Sequence, residues 1–457
     1  MAPEKAGGLA VGDSLDIIGA SKFHALSGVC CGIANAADGI ALLSIGYILL
    51  EFPHVSSFGK SCMSAAMFGG MLVGGASAGT LSDRYGRKRM LLTYLAIATA
   101  FNFLVALSPT WQWLAAGRTL AGVGVGGVLP IVFTLYVELL PTANRGAYLS
   151  IVSWFWAAGS ICAAGLAWVM IGEKNWSWRW YDVAVSIPNL LAFLVVLYYV
   201  PESPAFYASK GDTARAQEVL EDIAARSGPD RRTGLEGGAQ LRSSRVSSSS
   251  STSELKEHLQ LLMAPGLRGR FIATLTVWFC LSFGWYGLIL WLPSLFKKVH
   301  LHLDPYQNAF LVAAANIPGN LAYSFLTDVV GRKVVLVSSL IAGCGFAAGF
   351  SASTTKVGTV AVACCLNCVS TLAWNSLSAM SQEVFPGRVR GTASGACLAS
   401  ASGRIASLIA QFVFGKLIEV SVTALLLTGS GVLLIGGLAA WTLPETKNKA
   451  LPKDDSV

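Results

Sequence analysis

The sequence predicts an all-α membrane protein, with twelve transmembrane helices arranged as two six-helix bundles. Three observations carry this prediction. Of 457 residues, 54% are hydrophobic and only 13% are charged, about half the charge of a soluble domain. Apolar runs close to the bilayer-crossing length of about twenty residues recur along the chain. Finally, two charged motifs occur twice at one fixed offset. Asp83, Gly86, Arg87 and Lys88 return 245 residues later as Asp328, Gly331, Arg332 and Lys333. Glu138, Pro141, Arg145 and Gly146 return at the same offset as Glu383, Pro386, Arg390 and Gly391. One offset shared by two separate motifs marks a duplicated unit.

The first bundle, within 1–200, is expected to hold helices over about 23–50, 61–81, 90–109, 111–139, 147–171 and 179–200. The second, within 271–457, is expected to hold helices over about 271–296, 307–327, 333–352, 357–383, 391–417 and 421–443. Residues 201–270 read as a linker. Its 212–226 stretch has the pattern of an amphipathic helix, and "GLEGGAQLRSSRVSSSSSTS" reads as a low-complexity tether whose serines offer phosphorylation sites. With the amino terminus inside, 24 of the 33 Lys and Arg fall on inner segments and 7 on outer ones. This bias places both termini in the cytoplasm of a plasma or vesicle membrane. The opening residues are polar and small, and the first apolar run is too long for a cleaved signal. The ten cysteines are scattered and read as small packing groups, not as disulfides or metal ligands. No metal or cofactor is expected.

Three ionisable groups lie inside expected helices: Asp38, Arg118 and Arg404. Such a group costs several kcal/mol at membrane depth unless paired or wetted, so a functional role is its default reading. Asn35 shares a helix face with Asp38. The repeat-related positions hold Phe283, Ala363 and Gly159. Charges present in only one half are the better candidates for solute or coupling-ion contacts. The plain alternative for Asp38 and Arg118 is a structural buried pair. Phe283, Trp285 and Tyr286, beside Gly284 and Gly287, are candidate cavity linings, with Trp374 and Asn375 as neighbours. Trp291 reads as an interfacial belt residue.

The loop "GTLSDRYGRKR" (79–89) and its counterpart "FLTDVVGRK" (325–333) resemble signatures of the major facilitator superfamily. So do "GRTLAGVGVGG" on the fourth helix, "ELLPTANRG", "EVFPGRVRG" and "PESP". The likeness covers nearly the whole chain. "CGIANAADGIALLSIGYIL", "WSWRW" and "ASGRIASLIAQ" are similar to the branch that holds synaptic-vesicle-glycoprotein-like proteins and organic-ion transporters. Relatives often carry a second acid three residues after the first-helix aspartate. Here that position is Ala41, so a mechanism needing two acids there does not transfer. The resemblance implies alternating access around a central site, with Asp83 latching onto the amino end of the eleventh helix.

A charge network is therefore expected at the cytoplasmic mouth. Asp83, Arg84, Arg87, Glu138, Arg145 and Glu202 would form it in the first half, mirrored by Asp328, Arg332, Glu383, Arg390 and Glu445. Single rim pairs are worth about 0–1 kcal/mol, but a network formed in only one state biases a two-state equilibrium. The plain alternative is that these charges only fix orientation.

The sequence thus reads as a secondary transporter of a small organic solute. Two buried arginines against one acid favour an organic anion such as a carboxylate. A carboxyl group withdrawn from water holds a proton more readily, so Asp38 is the candidate for proton coupling. The alternatives are a neutral sugar-like or cationic solute touching Asp38, or a non-transporting vesicle or regulatory protein. No nucleotide-binding loop and no nucleophile–base pair is visible, so no enzyme is expected. The expected partners are the solute, protons and the lipid bilayer, with no nucleic acid, and the expected state is a monomer.

Overall fold

The computed structural model describes residues 8–9, 11–142, 145–228, 240–241, 257, 259–299, 304–353, 355–386 and 398–447. Among them, twelve helices are long and apolar enough to cross a membrane. The first six are α1 (Lys22–Glu51), α2 (Ser57–Tyr85), α3 (Arg87–Val105), α4 (Trp111–Leu139), α5 (Arg145–Glu173) and α6 (Trp178–Tyr199). The second six are α7 (Pro265–Lys298), α8 (Pro305–Val330), α9 (Arg332–Ala352), α10 (Lys356–Glu383), α11 (Leu398–Val420) and α12 (Val422–Trp441). All twelve expected helices are present. The expected start of α11, the Ser-rich stretch and Arg390 lie outside the described residues.

Small residues set the closest packing. α2 and α4 meet through glycines on both sides. A Cβ added to Gly74 would fall 2.0 Å from the Val123 carbonyl oxygen, and one on Gly126 2.4 Å from that of Met71. "GRTLAGVGVGG" is thus a contact surface between backbones, as its composition predicts. The larger apolar core runs through both halves, joining Ile45, Tyr47 and Phe68 to Leu288, Trp291 and Phe414. A smaller core lies wholly in the first half, around Leu91, Leu135, Tyr136 and Val196.

The repeated motif explains itself in structure. Gly86 and Gly331, between α2 and α3 and between α8 and α9, adopt φ of 107° and 100°, a region that side chains disfavour. A Cβ on either would also strike a carboxylate, lying 2.5 Å from Glu202 and 2.6 Å from Glu445. Those two carboxylates cap the helices that follow. Glu202 accepts from Lys88 N at 3.0 Å. Glu445 accepts from Arg332 N at 3.1 Å and Lys333 N at 3.2 Å. An anion suits a helix amino terminus, whose N–H groups lack partners. Glu202 and Glu445 therefore serve their own halves as caps, which refines their expected place in a charge network.

We call the side carrying Gly86 and Gly331 the turn face, and the opposite side the far face. The short helices Val11–Ile18, Pro204–Ser209 and Thr213–Ser227 pack at the turn face of the first half, where Leu15, Ile18, Leu220 and Ile223 join the smaller core. The amphipathic helix expected at 212–226 is the last of these. Asp212 caps it by accepting from Arg215 N at 3.1 Å.

Burial acts to raise the Glu445 pKa. The N–H donors of Lys447, Thr446, Lys333 and Arg332 outweigh it, holding this carboxyl below the usual glutamate range. A depressed folded-state value means that the contribution is complete above the unfolded pKa and lost as pH falls through the folded one. Glu445→Ala is expected to cost about 0.5–1 kcal/mol at pH 7, a modest cap because the site is partly open to solvent. The deficit should vanish in strong acid. Thermal unfolding followed from pH 7 to pH 3 checks this, and a deficit that persists at the acid end would count against the cap.

Candidate functional site

A cavity of about 230 Å³ lies between the two halves. From the first half, α1 contributes Asn35 and Asp38, α2 contributes Phe68 and Met71, and α5 contributes Trp156. From the second, α7 presents Trp278, Ser282, Trp285 and Tyr286, spaced as one helical stripe. α8 adds Asn316 and Asn320, α10 adds Thr371, Trp374 and Asn375, and α11 adds Arg404.

A polar ladder holds α8 against α10. Asn367 Nδ2 donates to the Val312 carbonyl at 2.8 Å, Thr371 Oγ1 to Asn316 Oδ1 at 2.7 Å, and Asn375 Nδ2 to Asn320 Oδ1 at 2.8 Å. The rungs step by four residues on both helices, so two parallel helices keep one register. α8 breaks at Ala315, near Pro318, which has no N–H for the Ala314 carbonyl. Just there, Asn316 Nδ2 reaches across the halves to Ser160 Oγ at 2.9 Å. The signal for the ladder was present in the sequence as Asn and Thr at fourth-residue spacing within apolar runs. It went unread beyond Asn375.

Arg404 crosses from α11 into the first half. It donates to the carbonyl oxygens of Met71 and Gly126. Gly75 makes room for it, since a Cβ there would lie 1.9 Å from the guanidinium. These acceptors are neutral, so they orient the cation without cancelling it. Asp38 is 4% exposed and takes part in none of the ion pairs among the described residues. Its Oδ1, together with Asn35 Oδ1 and Trp374 Nε1, is buried without a hydrogen-bond partner among the described residues. Three such atoms around one cavity are what a polar solute would satisfy.

Other expectations need correction. Arg118 does not line the cavity, and its carboxylate partner is not Asp38. It is 1% exposed, pairs with Asp182 at 2.9 Å, and donates to the Ala41 carbonyl at 2.7 Å and Ser44 Oγ at 2.9 Å. Asp182, one turn into α6, was not among the ionisable groups expected at depth. Among the described residues it makes the buried charges two arginines against two acids. Phe283 sits off the α7 stripe and packs on Phe414 and Phe279. Gly284 and Gly287 receive Leu433 and Phe414 and do not open a cavity. Trp291 is buried, not a belt residue, with its Nε1 donating to Gln411 Oε1 at 3.1 Å.

The profile of the family described as "Sugar (and other) transporter" matches residues 25–456. The chain belongs to this family. It is a major facilitator transporter of small solutes and an integral, multi-pass membrane protein, as its motifs led us to expect. It is 27% identical to the organic cation/carnitine transporter 7 of Arabidopsis thaliana, over 96% of this chain and 95% of that protein. It is 29% identical to the niacin transporter NiaP of Acinetobacter baylyi, over 76% and 75%. Against the synaptic vesicle glycoprotein 2A of Bos taurus it is 23% identical, over 92% and 77%. Its fold matches a partially occluded, inward-open xylose transporter XylE of E. coli with a TM-score of 0.74 at 17% identity, covering 94% of this chain and 100% of that one.

The transporter's turn-face charges stay within their own halves among the described residues. Arg87 pairs with Asp83 at 2.9 Å and with Glu138 at 3.2 Å. Arg332 pairs with Glu383 at 3.6 Å. Arg84 lies over the Tyr85 ring, and Arg145 donates to the Leu140 carbonyl at 3.0 Å. The Asp83 side chain is 70% exposed, and Asp328 is exposed as well. Many contacts between halves lie elsewhere, at mid-depth and toward the far face. Tyr306 donates to Glu51 Oε1 at 2.9 Å, Ser61 donates to the Gln411 carbonyl at 2.9 Å, and Trp168 meets Phe310.

Proposed function

We propose that this transporter is a secondary carrier for a small organic anion, a ring-sized carboxylate, and that a proton on Asp38 moves with it. One observation carries the reading. With Arg118 neutralised by Asp182, the cavity keeps one guanidinium, Arg404, and one carboxyl, Asp38, both buried and not paired with each other. In the empty cavity, ionised Asp38 offsets Arg404. In the loaded cavity, Asp38 holds a proton and the solute's carboxylate offsets Arg404. Only half-loaded states carry net charge, and an enclosed net charge costs several kcal/mol. Proton and anion are thereby held to the same step.

The lining suits a ring. Trp156, Trp285 and Tyr286 offer aromatic faces, and Trp374 Nε1 offers a further donor for the anionic group. The volume lies just under the range of about 300–1,000 Å³ typical of drug-sized sites. Niacin, in the name of one relative, has both a ring and a carboxylate. Alternating access would turn on the turn-face charges. Asp83, Arg84, Arg87, Glu138 and Arg145, with Asp328, Arg332 and Glu383, would regroup across the halves when that face closes.

Uptake into proteoliposomes tests this reading with niacin, carnitine and xylose, each with and without a pH gradient. Niacin is expected to accumulate several-fold only when the uptake side is acid. Asp38→Asn should exchange niacin but not concentrate it. Gradient-independent uptake of xylose or carnitine, with niacin excluded, would replace the anion with a neutral or cationic solute.

A further inference from the structure

We propose that Trp285 is a partition across the transport path and that Asn367 is the positioning residue that holds it shut. This rests on the alternating-access reading above and not on which solute is carried. A second, much smaller void of about 10 Å³ lies beyond Trp285, bounded in part by Leu43, Tyr47, Ile289 and Pro293. Leu43 and Tyr47 lie one to three turns past Asp38 along α1, and Ile289 one turn past Trp285 along α7. The small void thus continues the axis of the central cavity toward the far face. It has room for about one water. Trp285 and Asn316 are the two residues that line both spaces.

The indole sits where the halves meet. It is 5% exposed, and its ring lies 5.5 Å from that of Trp156 in the first half. Its Nε1 donates to Asn367 Oδ1 at 3.1 Å. Asn367 is itself fixed, with Nδ2 donating to the Val312 carbonyl as the first rung of the α8–α10 ladder. Asn367 does not line the central cavity, so it acts on the path through Trp285. Beside the indole, Asn316 holds Ser160 across the halves. Opening toward the far face therefore requires two local events: the Asn316–Ser160 bond parts, and the indole turns off Trp156. The Asn367 bond opposes the second. A side chain freed of that bond can change rotamer without unpacking α7.

The test places a reporter thiol in the small void by Ile289→Cys in the full-length transporter in nanodiscs. A membrane-impermeant methanethiosulfonate reagent is added, and modification at position 289 is read by peptide mass spectrometry, so the native cysteines stay in place. The reporter alone should react slowly. Trp285→Phe and Asn367→Ala should each speed the reaction about 2- to 10-fold, the factor carried by one net hydrogen bond. The two together should be no faster than either alone, because they remove the same bond. Asn367→Asp keeps the oxygen that Trp285 needs and loses the donor to Val312, so it should stay near the reporter rate. If Asn367→Asp reacts as fast as Asn367→Ala, the residue is a strut of the ladder and the assignment falls. It falls equally if Trp285→Ala leaves the thiol protected. A mistaken solute assignment would leave all these rates unchanged, so the two readings fail separately.

Discussion

Arg404→Ala is expected to weaken niacin binding by about 30-fold or more while leaving its uncharged amide, nicotinamide, within about 3-fold of wild type. Removing one side of a buried, hydrogen-bonded charge contact costs about 2–5 kcal/mol, and each 1.4 kcal/mol is about tenfold in affinity. The neutral amide is the necessary control. Arg404 also ties α11 to the carbonyls of Met71 and Gly126 in the first half, so its loss loosens the contact between halves. That loosening acts on both ligands, whereas the electrostatic loss acts on the acid alone. Isothermal titration of the pair on purified variant separates the two effects. Equal losses for acid and amide would make Arg404 a mechanical link and remove the ground for an anionic solute.

Asp182→Ala should lower the stability of the first half by about 3–5 kcal/mol, the cost of stranding one member of a buried ion pair. Arg118 would keep its bonds to Ala41 and Ser44, but its charge would lose the only carboxylate it touches among the described residues. The double change Arg118→Met with Asp182→Leu should recover most of the loss, since apolar residues of similar size can replace a buried pair at little cost. Solute affinity in the folded fraction should be unchanged in the double variant, because neither side chain lines the cavity. Thermal unfolding in detergent provides the first readout and ligand titration the second. An Asp182→Ala protein as stable as wild type would show that the pair contributes nothing.

The contrast between these two arginines shows what a single sequence reveals. Both stand out as cations in apolar runs, and nothing local distinguishes them. Their fates are set by helices far away in the chain: α6 brings a carboxylate to Arg118, and α2 and α4 bring only carbonyls to Arg404. Asp182 itself lies one turn from the start of α6, close to Arg179 in its first turn, where a charge reads as interfacial and not as the partner of a buried arginine. Helix ends also explain the shift at α7. It begins at Pro265, ahead of the expected 271, because Arg268 and Arg270 extend a helix that apolar content alone cannot follow. α4 fell on its expected residues because Pro109 and Pro141 punctuate both ends. Phe283 was misplaced because one step around a helix, about 100°, separates lining from core.

The clamps at Gly86 and Gly331 have a mechanical corollary. Each ties the start of the third helix of its half to the segment leaving the sixth, through Glu202 in one case and Glu445 in the other. Tension on the strand that joins the halves is therefore borne at a fixed anchorage on the periphery. A binding partner that tugs there would swing one half bodily, like a handle, and leave the geometry around the cargo undistorted.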